Sequence, residues 1–231
     1  MIGVPLYRRS VFYFSLVLAI AILGFFPSYF SMLLRTDAVH HFHGGMATTW
    51  MMLLIGQAWL VRQGRLSLHR TLGRLSLIVV PLFLLSGLLV VNAMLKSRSG
   101  FSQTFAARLA FVDIASVLYF GLSYGLAIAY RKNVQLHARF MASTAILVLP
   151  PALARLLPMV FPAIQSFPVA FHLSYLLSQV TVVVLLLDDH RQGGLRMPYL
   201  LLLGVMLLQE LGFIVIPQIP WWNELVTRLG T

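Results

Sequence analysis

The chain has no cysteine, which excludes disulfides, thiolate-bound metals, iron–sulfur clusters and c-type haem attachment. Charge is also scarce. Asp, Glu, Lys and Arg make up 10% of the 231 residues, against about 25% in a soluble domain. That shortage argues against a soluble globular enzyme. Acids are scarcest, 6 against 17 Lys and Arg, so the formal net charge is +11. Such a charge would suit nucleic acid, but the basic residues stand between apolar runs. Membrane topology accounts for that placement, and no nucleic-acid partner is expected. Missing too are HExxH, HxxxH, a phosphate-binding GxxxxGK[ST] and a dinucleotide fingerprint. Gly121-Leu122-Ser123-Tyr124-Gly125 spells a nucleophile elbow. It lies inside an apolar run, where the strand–turn–helix corner of that motif cannot form.

What the chain does have is apolar sequence: 59% of residues, with mean hydropathy +0.87. A bilayer-crossing helix needs about 20 apolar residues. Seven runs qualify, at 11–34, 39–61, 74–95, 103–130, 134–157, 169–187 and 197–216. The expected fold is therefore all-α, a polytopic transmembrane helical bundle of about seven spans, with residues 1–231 as a single integral membrane domain. The first run is too long for a cleaved signal peptide and reads as a signal anchor. Pro27, Pro81 and Pro150-Pro151 are expected to bend their helices. Gly121 with Gly125, and Gly45 with Thr49, are small-xxx-small pairs suited to close helix contact.

Lys and Arg divide unevenly between the two faces. One face takes Arg8, Arg9, Arg62, Arg65, Arg70, Arg74, Arg131, Lys132, Arg139, Arg191 and Arg196. The other takes Arg35, Lys96, Arg98, Arg108, Arg155 and Arg228. The positive-inside rule then predicts a cytoplasmic N-terminus and a periplasmic C-terminus in a bacterial inner membrane. Trp221-Trp222 would anchor the outer interface.

Ionisable groups inside a bilayer are costly and need partners or a function. In the outer half these are His40, His43, Arg108, Asp113, Arg155, His172 and Glu210. His40 and His43 share a helix face that continues through Ala47, Trp50, Leu54 and Gln57. Asp113 lies about 15 Å in from the start of its span at 1.5 Å per residue. His172 heads a second polar stripe with Tyr175 and Gln179. At the inner face, His69 precedes the third span and His137 opens the fifth. Two histidine groups, one per face and each from two parallel-running helices, match what two stacked b-type haems require. Arg108 and Arg155 would pair with propionates. A rival arrangement is one zinc or copper site from His40, His43 and His172, with Asp113 or Glu210 as ligand or base. Histidines at helix starts also bond headgroups or loop carbonyls, the plainer role for His41, His69 and His190.

Three segments carry a resemblance. They are His43-Gly44 with Trp50, Gln57 and Leu60; Leu68-His69-Arg70-Thr71-Leu72-Gly73-Arg74; and Leu136-His137-Ala138-Arg139-Phe140-Met141 with Pro151-Ala152-Leu153-Ala154-Arg155. Together they resemble a family of uncharacterised bacterial multi-pass inner-membrane proteins, a domain of unknown function, which implies no activity. A weaker likeness is to the ascorbate-reducible di-haem b-type cytochromes. It implies His43, His69, His137 and His172 as ligands, although here they fall on spans two, three, five and six rather than on four consecutive spans. The expected function is b-type cytochrome-like transmembrane electron transfer, with His43 and His172 holding an outer haem and His69 and His137 an inner one. The alternatives are a metal-dependent membrane hydrolase, or a non-enzymatic subunit of a membrane complex. The lipid bilayer and a membrane or redox partner protein are the expected partners.

Overall fold

A computed structural model describes residues 9–230, so Arg8, counted above with the basic face, lies outside the described residues. Among the described residues the chain is helical, without strands. Five helical segments are long and apolar enough to cross a membrane: Ser76–Lys96, Gly100–Ala129, Val134–Val160, Phe167–Arg191 and Met197–Gln218. They coincide with the last five expected spans. A lipid bilayer is the natural surrounding for them.

The first two runs differ from expectation. α1 covers Ser10–Phe25 only. Pro27 has no N–H for the Leu23 carbonyl, which Phe26 N bonds instead at 3.3 Å, and the chain turns into a short 3₁₀ segment, Phe30–Arg35. Sixteen residues reach about 24 Å, short of a roughly 30 Å hydrocarbon core. α2, Ala38–Arg62, is 25 residues long. Its histidines, threonines and Gln57 make it too polar to stand with the five.

The rest follows in order. α3 is Leu66–Gly73, α4 Ser76–Lys96 and α5 Gly100–Ala129. α6 is Val134–Ile146, α7 Leu149–Val160, α8 Phe167–Arg191, α9 Met197–Val215 and α10 Pro220–Gly230. Neither α3 nor α10 was expected as a helix. α3 follows the Gly64 turn, whose φ of 69° suits glycine. α10 is pinned where Trp222 Nε1 donates to the Ala107 carbonyl, 2.9 Å away. Trp222 is therefore buried, and only Trp221 faces outward.

Short connections make successive long helices antiparallel. Taking the end where α1 starts as the near face, α2, α5 and α8 begin at the far face. α6 and α7 form one span, broken where Pro150 and Pro151 lack the N–H groups that residues 146 and 147 would accept. α1, α2, α4, α5, α9 and α8 follow one another around this span, with α7 filling the place between α1 and α8. Its burial reflects that position: 56% of the α6–α7 span is buried, against 22–39% of the other four. Two apolar cores flank it. One joins Trp50, Met51, Val80 and Phe120, and the other Phe171, Val182, Met206 and Phe213.

The close approaches fall on other glycines than expected. Nothing lies within 4 Å of a Cβ added at Gly45 or Gly125, and Gly121 meets only Leu84. The tight positions are Gly24, Gly44, Gly212 and Gly230; at Gly24 a Cβ would run into the Ala152 carbonyl of α7, and at Gly212 into the Phe111 ring of α5.

Candidate functional site

Three histidines on three helices share one hydrogen-bonding pattern. On α2, His43 Nδ1 lies 3.1 Å from Ser86 Oγ of α4. Ser86 spends its own proton on the Phe83 carbonyl at 2.7 Å, so its oxygen accepts and His43 Nδ1 donates. On α6, His137 Nδ1 donates to the Ala127 carbonyl at 2.8 Å. On α8, His172 Nδ1 donates to Glu210 Oε1 of α9 at 3.0 Å. In each case the proton sits on Nδ1 and the Nε2 lone pair is left free. Metal-ligating histidines are oriented in this way, with the outward nitrogen bonded to a carbonyl or carboxylate.

The far half holds most of the expected polar residues, but not as one cluster. Glu210 also accepts from Gln179 Nε2 at 2.8 Å. Arg108 lies 5.2 Å over the Phe213 ring, which stacks on Phe171 at 4.0 Å. Arg155 donates to the Pro151 carbonyl at 2.9 Å and lies 4.5 Å from the Phe25 ring. Asp113 and Arg155 attract one another without an ion-pair contact. His40 is at the surface, its Nδ1 2.6 Å from Asp37 Oδ2. His41 ties α2 to the segment before it, with Nε2 2.9 Å from the Leu33 carbonyl and Nδ1 3.3 Å from Tyr29 Oη.

The structure thus joins His172 to Glu210, while among the described residues no hydrogen bond or ring contact joins His43, His172 and His40 to one another. Among the described residues, no three His, Asp or Glu side chains are gathered closely enough to hold a metal ion. The zinc or copper set of His40, His43, His172, Asp113 and Glu210 is divided among separate neighbours, because α2 turns His43 toward α4 and α8 turns His172 toward α9.

At the near face the charge of His137 reaches His69. Partial burial holds His69 below its usual value of 6.5, and the charge of His137 adds to this, while the Gln57 backbone carbonyl opposes it. With its amide turned to suit its surroundings, Gln57 donates to the His69 carbonyl at 3.0 Å and to the ring Nδ1, and accepts from Gly73 N at 3.1 Å. His69 therefore departs from the other three, since its Nδ1 accepts.

One pairing was missed by sequence reasoning. Arg139 of α6 donates through Nε to Asp189 Oδ1 of α8 at 2.7 Å, and both side chains are at most 2% exposed. Nη1 of Arg139 reaches Gln135 Oε1 at 3.1 Å. The available signal was an arginine a turn and a half inside an apolar span, which needs a carboxylate, with Asp188-Asp189 ending a helix at the same face. Comparison with family models, curated proteins and solved structures finds no match to this chain.

Proposed function

We propose that the protein is a seven-span bacterial inner-membrane protein, with α1 and α2 crossing beside the five apolar spans and the near face cytoplasmic. Ten described basic residues on that face, with Arg8 beyond the described ones, against six on the other support this orientation. Within it, we propose b-type cytochrome-like electron transfer through histidine-held haem. The observation that carries this reading is the shared Nδ1 bonding of His43, His137 and His172, which leaves three Nε2 lone pairs on three helices ready to ligate.

The donor chemistry suits the group, four imidazoles in an apolar bundle, but His43 turns toward α4 and His172 toward α9, so an outer haem would have to bridge separate neighbours. His43 and His172 would hold an outer haem, and His137 with His69 an inner one once the His69 ring gives up its bond to Gln57. Among the described residues Arg108 and Arg155 make no ion-pair contact, which leaves both guanidiniums to receive propionates. Haem held in this way supplies a one-electron couple in the apolar interior. Ser86, Ala127 and Glu210 orient the rings and set the imidazoles' donor strength.

An absorption spectrum of protein expressed with haem supplied is the test. A Soret band, lost in the His43→Ala, His172→Ala double variant and retained in His40→Ala, is expected. No Soret band ends the reading.

A further inference from the structure

At the far face the last turn of α4, the turn into α5 and the first turns of α5 meet α10. Between them lies an open cavity of about 300 Å³, whose lining includes Lys96, Ser97, Arg98, Ser102, Gln103 and Asn223. A chain of serines runs along it. Ser97 Oγ accepts from Ser99 N at 3.3 Å and passes its own proton to Ser99 Oγ at 3.2 Å. Ser99 Oγ caps α5, accepting from Ser102 N at 3.2 Å, and donates to Ser102 Oγ at 3.0 Å. Ser102 is only 7% exposed, and among the described residues its own hydroxyl proton has no acceptor. A buried hydroxyl that accepts without donating calls for an acceptor in the space it lines.

Two cations stand at the same cavity. Lys96 and Arg98 are exposed, and among the described residues neither joins an ion pair. The acid of α10, Glu224, pairs with Arg228 instead. An ammonium, a guanidinium and a hydroxyl donor together select an anion with several acceptor oxygens, as a phosphate has.

The place in the fold selects which phosphate. The cavity lies where two membrane-crossing helices, α4 and α5, reach the rim. Beside it α10 exposes Trp221, Leu225 and Leu229 along one stripe, as a helix lying in a membrane surface does. Down α4 from Lys96 runs a second exposed stripe, Asn92, Leu89 and Leu85. Cation, amide and hydrocarbon follow one another there in the order of a lipid's phosphate, glycerol and acyl chain.

We propose that this cavity binds the headgroup of an anionic glycerophospholipid, with its phosphate held by Lys96, Arg98 and the Ser102 hydroxyl. The amide nitrogens of Gln103 and Asn223 donate to the Arg98 and Pro217 carbonyls at 3.3 and 2.8 Å. Their amide oxygens are left to accept from headgroup hydroxyls, such as those of a terminal glycerol. The site stands apart from the haem reading and needs no cofactor.

The test is native mass spectrometry of the full chain, delipidated in detergent and titrated with phosphatidylglycerol. Phosphatidylglycerol should bind ahead of phosphatidylcholine. Each surface cation is worth about fivefold, so Lys96→Gln with Arg98→Gln should weaken binding about thirtyfold. Ser102→Ala should weaken it by a smaller factor, and Arg131→Gln with Lys132→Gln, at the near face, should leave it unchanged. Unchanged affinity in the Lys96, Arg98 double variant overturns the proposal, as does equal binding of phosphatidylcholine. Displacement of the lipid by excess inorganic phosphate would assign the cavity to a free anion and overturn the lipid. Should Ser102→Ala fail to fold, the double variant decides, because both of its side chains are exposed.

Discussion

Asp37 caps α2. Its Oδ1 accepts from Val39 N at 2.9 Å and His40 N at 3.0 Å. The His40 N–H bond is the main reason its carboxyl lies below the usual 3.8. Removing such a cap costs about 1 kcal/mol, so Asp37→Ala should lower the melting temperature of the detergent-solubilised protein. A carboxyl depressed on folding stabilises fully above 3.8, and the gain is lost as pH falls through its folded value. Wild type and variant should therefore converge in strong acid. His69 works in the same sense at a milder pH. Its folded form binds protons less readily than the unfolded chain, so its contribution is complete above 6.5 and lost as pH falls below that. Melting followed from pH 8 down to 5 should show this loss, and His69→Gln should flatten it. An equal slope in both proteins would remove His69 from the account.

At the scale of the helices, α6 is held to α8 by Arg139 and Asp189. A buried ion pair owes more to the penalty of breaking it than to its net attraction. Arg139→Met alone, or Asp189→Leu alone, should cost about 3–5 kcal/mol, and the two together far less. A double-mutant cycle on unfolding reads the difference directly. The five apolar helices were legible from hydropathy within a few residues, since hydrocarbon selects strongly for uninterrupted apolar length. α3 and α10 were not, because each is short and owes its place to neighbours: α10 to the Trp222 bond with α5, α3 to the Gly64 turn after α2. α1 stopped short of its apolar run for a local reason, Pro27. Glycine spacing misled because Gly45 and Gly125 are not at helix contacts, whereas isolated Gly24 meets the backbone of α7.

At the scale of the molecule, the absence of cysteine makes topology directly measurable. Single cysteines at Ser67 and Lys132 should resist a membrane-impermeant maleimide in intact cells, while those at Ser99 and Thr227 should react. Labelling of Ser67→Cys and Thr227→Cys from the same side would contradict the five crossings between them. The whole bundle also explains why the candidate site was only partly readable. Hydropathy and charge asymmetry depend on each residue's affinity for hydrocarbon or water, a property carried one position at a time. Membrane character, helix content and the division of basic residues therefore followed from the sequence alone. Which groups meet depends on how helices rotate and pack, and that is decided by contacts between residues far apart in the chain. Only the tertiary structure turned His43 toward Ser86 and His172 toward Glu210, and buried Arg139 against Asp189.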